Sequence, residues 1–78
     1  MHTFQIRLQS IDDVKTFVNA ATFVSCDVDV LAGRYLVDAK SIMGLFSLDL
    51  AKPVTVQVHG SEEEEFAFRQ AVASLIVA

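Results

Sequence analysis

The run Lys40-Ser41-Ile42-Met43-Gly44-Leu45-Phe46-Ser47-Leu48 sets a serine hydroxyl at the start of a short apolar helix, directly after a lysine. A helix N-terminus presents unpaired backbone N–H groups and partial positive charge, which favour phosphate and other anions. Ser41 is therefore a candidate phosphorylation site, acting as a substrate residue and not as a catalyst. A phosphate there would gain N–H contacts, with Lys40 beside it. The alternative role is an unmodified N-cap. A helix this short cannot bury Ile42, Met43, Leu45 and Phe46 together, so Lys40, Ile42, Met43 and Phe46 are the expected partner-binding surface.

Other chemistry-bearing residues point to no complete catalytic site, and the chain reads as a non-enzyme. The histidines are His2 and His59. His2 reads as a frayed strand end. His59 shares the outward phase of Thr55 and Gln57, and the carboxylates that follow it would favour imidazolium but repel a phosphoryl group. No His/Cys spacing suggests zinc, no serine has evident His and acid support, and there is no glycine-rich phosphate loop, so neither metal nor cofactor is expected. Glu62 to Glu65 point in different directions on a helix and cannot converge on one ion. Cys26, the lone cysteine, rules out an internal disulfide, fits a reducing cytoplasm, and reads as a small buried or half-buried side chain.

Seven elements would position these groups. Residues 3 to 8 alternate as a half-buried strand, with Phe4, Ile6 and Leu8 inward. Ser10 caps a helix over residues 11 to 23, with Asp13 closing a capping-box-like pair and Ile11, Val14, Phe17, Val18 and Ala21 forming one stripe. Strands over residues 27 to 31 and 34 to 38 flank a turn at Ala32-Gly33. The short helix spans residues 41 to 47. A strand over residues 53 to 59 begins at Pro53, with Val54, Val56 and Val58 inward. Ser61 and Glu64 form a capping box for a last helix over residues 61 to 77, with Phe68, Ala71, Val72, Leu75 and Ile76 as its stripe and Glu65–Arg69 as an i, i+4 pair. The order β-α-β-β-α-β-α predicts an α+β fold. Its four-stranded antiparallel sheet has one open face and three helices covering the other, as a two-layer open-faced β-sandwich.

Composition narrows the class. Residues 1 to 78 form one domain, near the size at which a single core just suffices, and the 53% apolar content argues against disorder. A net charge of −4 without a basic cluster argues against nucleic acid or an anionic membrane as direct partner. No apolar run approaches a membrane span, and no basic segment followed by an apolar run suggests a secretory leader. A cytoplasmic monomer or weak homodimer is expected.

Lys40 to Leu48 resembles the second-helix motif of HPr, the phosphocarrier of the bacterial sugar phosphotransferase system. The flanks agree in outline: Asp27-Val28-Asp29-Val30, Gly33-Arg34 and Val37-Asp38-Ala39 precede it, and Ala51-Lys52, Val54 to Val58 and Gly60-Ser61 follow. The resemblance implies an HPr-like fold with strand order 1-4-2-3. The family's Gly-x-His-Ala-Arg-Pro-Ala segment is replaced by Leu8-Gln9-Ser10-Ile11-Asp12-Asp13-Val14. Ser10 then falls at the carrier-histidine position and Asp12 at that of the arginine, so the carrier chemistry is lost and negative charge stands where phosphate would sit. Resemblance to homologues that lack the histidine but keep the serine implies a regulatory protein-binding module. Its partners would be HPr kinase, a sugar-responsive transcriptional regulator, or other phosphotransferase proteins. Two alternatives stand beside it: a phosphocarrier component using a displaced histidine, His59 or His2, and a diverged binding module unrelated to sugar transport.

Overall fold

The computed structural model describes residues 2–77; Met1 and Ala78, the two ends of the expected domain, lie outside the described residues. The elements run β1 (His2–Ile6), α1 (Ile11–Phe23), β2 (Asp27–Ala32), β3 (Tyr35–Asp38), α2 (Ile42–Phe46), β4 (Val54–His59) and α3 (Glu62–Ala71), then a 3₁₀ turn, Ala73–Leu75. The strands form one antiparallel sheet in the order β1-β4-β2-β3. The expected α+β class, the open-faced layering and the strand order all hold.

Period-two alternation explains the layering. Phe4, Ile6, Val28, Val30, Val54, Val56 and Val58 are buried on the helix side of the sheet. Val14, Phe17 and Ala21 of α1, Leu45 of α2 and Phe68 of α3 close over them. Phe68 joins the layers: its ring meets Phe17 edge-on at 5.6 Å and Phe4 at 6.3 Å. The Arg69 guanidinium lies 4.5 Å over Phe4 and its Nε donates to Glu65, as the i, i+4 spacing anticipates.

Several boundaries differ from the sequence expectation. The hairpin turn is Gly33-Arg34, not Ala32-Gly33. Gly33 has φ +62° while Arg34 does not, the sign pattern of a type II′ turn with glycine first. The last helix stops at Ala71 instead of residue 77, and Ala71 is exposed. Beyond the 3₁₀ turn the chain is extended and Ile76 bridges Ile6. Arg7 N–H donates to Leu75 O at 2.9 Å and Val77 N–H to Gln5 O at 3.0 Å. The tail thus satisfies the outer edge of β1, a gain that a longer helix would forfeit. Ile11 is 62% exposed and drops out of the expected α1 stripe, because the first helical side chain leans back past the end of the core. His2 is not frayed but a half-buried strand residue paired with Val58.

Candidate functional site

Ser41 caps α2 with extended backbone (φ −93°, ψ 95°), and its Oγ accepts from Gly44 N–H at 3.1 Å. Its own N–H donates to Asp38 O at 2.9 Å, and its carbonyl accepts the first helical bond from Leu45 N–H. Gly44 permits this cap. A Cβ there would stand 2.9 Å from Ser41 Oγ and 3.3 Å from Val37 Cβ, displacing the hydroxyl. Asp38 holds Lys40 beside the cap, accepting from its backbone N–H at 2.8 Å with Nζ at 3.5 Å. No acidic residue lies in the first turn of α2.

Only one of the four bulky α2 side chains is core. Leu45 is fully buried, whereas Met43 is 77%, Phe46 45% and Ile42 36% exposed. With five residues, α2 has one inward position per turn, and Leu45 takes it.

Ser10 is the corresponding cap of α1, its Oγ accepting from Asp13 N–H at 3.1 Å. The return bond differs from the expected capping box: the Asp13 carboxylate accepts from Gln9 N–H at 2.9 Å, one residue before the cap. Asp12 and Asp13 load this helix end with negative charge. Ser10 and Phe46 line one cleft of about 480 Å³, together with Arg7, Leu50 and Ala51; Ser41 is not among its walls. The cation in this cleft is Arg7, whose Nη2 donates to Ala51 O at 3.1 Å. No spacing rule foretells a contact between residues so far apart in sequence.

The histidines lie elsewhere. His59 Nε2 is 3.0 Å from Asp29 Oδ2 on the open face of the sheet, opposite the helices. His2 lines a shallow cleft with Glu62, Glu63, Glu65 and Phe66. Carboxylates neighbour both rings. Among the described residues no group of three or more His, Cys, Asp or Glu could hold a metal ion, and no helix is long and apolar enough to cross a membrane.

The start of α3 is a third well-bonded cap. Ser61 Oγ accepts from Glu64 N–H, and Glu64 returns the bond to Ser61 N–H at 2.9 Å. The other Glu64 oxygen accepts from Ser25 Oγ at 2.6 Å, tying the α1–β2 loop to α3. The Ser25 and Ser61 bonds hold the Glu64 carboxyl below its ordinary range. Burial, then the Glu64 charge, push the half-buried Cys26 thiol up.

An open-faced α+β sandwich of this strand order is the fold of small HPr phosphocarrier domains. Residues 13–78 match the family described as "PTS HPr component phosphorylation site", and the chain belongs to that family, the HPr proteins of the phosphotransferase system, which are phosphocarriers and not enzymes. A solved structure of HPr-C-His from Thermoanaerobacter tengcongensis is 29% identical, with 97% of this chain and 91% of that one covered and a TM-score of 0.77. The phosphocarrier protein HPr from Bacillus anthracis str. Ames is 27% identical over 95% and 93%, with a TM-score of 0.71. A histidine-containing phosphocarrier protein from Mycoplasma shares the fold at 17% identity, covering 99% and 100%, with a TM-score of 0.74. Comparison with curated proteins finds no match.

Proposed function

We propose that this chain is an HPr-family protein that does not carry phosphate on histidine. It acts as a cytoplasmic regulatory module, phosphorylated on Ser41 by an HPr kinase. One observation carries the reading: the α2 cap has no acid in its first turn, whereas the Ser10 cap of α1 has Asp12 and Asp13. Phosphate is tolerated at the Ser41 cap of α2 and repelled at the Ser10 cap of α1. Ser10 stands at the carrier position and has no imidazole to form a phosphoramidate. The family match begins at Asp13, past that position.

In the modification, Ser41 Oγ attacks the γ-phosphorus of ATP. The new O–P bond replaces the bond to ADP, and the hydroxyl proton passes to the kinase. The bridging Oγ then no longer serves Gly44 N–H well, and phosphate oxygens take over the free N–H groups. Met43, Phe46 and Ile42, exposed beside the cap, with Lys40, form the surface that the kinase or a sugar-responsive regulator reads.

Labelled ATP with HPr kinase tests this. Acid-stable label that disappears in Ser41→Ala is expected. Acid-labile label on His59 or His2, after incubation with phosphoenolpyruvate and Enzyme I, would instead make the chain a phosphocarrier with a displaced histidine. No label from either donor would leave a binding module outside sugar transport.

A further inference from the structure

The two edges of the sheet are finished differently. The outer edge of β1 is covered by the C-terminal tail through Ile76 and Val77. β3 pairs only with β2, and no described strand lies on its other side. The register shows which backbone groups this leaves open. Ala39 N–H donates to Val28 O at 2.9 Å, so Val28–Ala39 is a hydrogen-bonded pair. Alternation then makes Val30–Val37 and Ala32–Tyr35 bonded pairs and Leu31–Leu36 and Asp29–Asp38 non-bonded ones. The N–H and C=O of Leu36 and Asp38 therefore point away from β2. The Asp38 carbonyl is taken by Ser41 N–H, which leaves Leu36 as the residue with both groups free.

We infer that β3 is a self-complementary edge at which two copies of this chain associate, antiparallel about Leu36, into one continuous sheet. A two-fold axis at Leu36 sets Leu36 against Leu36 of the partner subunit as a doubly hydrogen-bonded pair. The same register sets Arg34 opposite Asp38 of the partner subunit, and Asp38 opposite Arg34 of the partner subunit. Each copy thus supplies one charge to each of two cross-strand ion pairs. Arg34 is exposed and meets no carboxylate in its own chain among the described residues. Asp38 holds only Lys40, at 3.5 Å through Nζ, and about half of its side chain is exposed. Leu36 is 58% exposed beside half-buried Leu31, an apolar centre between the two charged pairs. Edge strands that resist pairing set like charges against a second copy; this one sets opposite charges.

The contact is short, because β3 has four residues, and it belongs with weak, transient interfaces. Sedimentation equilibrium of the whole chain up to about 1 mM measures it. A monomer–dimer equilibrium is expected within that range. Arg34→Asp and Asp38→Arg each place like charges across the axis and should weaken self-association about tenfold or more. An equimolar mixture of the two variants restores both opposite-charge pairs and should associate at least as well as the parent chain. Leu36→Lys, which leaves the Asp38–Lys40–Ser41 turn untouched, should also abolish the dimer; circular dichroism checks that each variant is folded. A strict monomer throughout the range overturns the inference. So does a dimer indifferent to these substitutions, or a mixture no tighter than its components.

Discussion

Met43→Ala and Leu45→Ala, two truncations with only Gly44 between them in α2, should have opposite consequences. Leu45 is fully buried, so its loss leaves a cavity in the core and costs about 2–5 kcal/mol. At roughly 4–8 °C per kcal/mol for a domain this size, the melting temperature falls by about 10 °C or more. Met43 is 77% exposed and keeps about a quarter of its surface from water. A quarter of a full methionine burial is about 0.4–0.7 kcal/mol, offset in part by the better helix propensity of alanine. Its melting shift should stay within about 3 °C. Function should order the pair the other way. The rate of Ser41 phosphorylation by HPr kinase at low substrate concentration should drop severalfold in Met43→Ala, through a raised KM. Leu45→Ala should show a near-normal rate at temperatures where it remains folded. Equal melting losses would show that Met43 is core, and an unchanged phosphorylation rate in Met43→Ala would remove α2 from the recognition surface.

Gly60→Ala should be strongly destabilising without touching either helix cap of interest, because its Cβ would lie 2.7 Å from Cys26 Sγ and from Glu64 Oε1 and 2.8 Å from Cys26 Cβ. Overpacking of about 1–3 kcal/mol, plus about 1 kcal/mol for a disturbed Ser61 cap, is expected in urea unfolding. Glu64 has a folded pKa below its unfolded value, so its stabilising effect is complete above the ordinary carboxylate range and vanishes as pH falls through the folded value. Glu64→Gln should accordingly flatten the acid limb of a melting-versus-pH curve, and an unchanged limb would count against the Ser25–Glu64–Ser61 knot. Cys26 has a raised folded pKa, so its contribution is present below the ordinary thiol range and lost as pH climbs through the folded value. Iodoacetamide should therefore modify native Cys26 much more slowly at pH 8 than the urea-unfolded chain; equal rates would contradict the burial of its sulfur.

Local rules made most of this molecule legible in its residues. Alternation in Val54-Thr55-Val56-Gln57-Val58 and the Ser61-x-x-Glu64 signature each demand only neighbours in the chain, so their sheet face and capping box were foreseeable. The Ser41 cap was readable for the same reason, since hydroxyl, N–H and Gly44 lie within one turn. Tertiary packing decided the rest. Nothing in the spacing of Val72 to Val77 distinguishes a continuing helix from a tail laid on β1; the choice follows from the unpaired strand groups of Gln5 and Arg7, which are distant in sequence. Ile11 fits a helical stripe yet is solvent-facing, because periodicity gives an angle around a helix but not where the core ends. The juxtaposition of Ser10 with Phe46, and of His59 with Asp29, required the crossings of the fold, which bring together residues that no local rule relates.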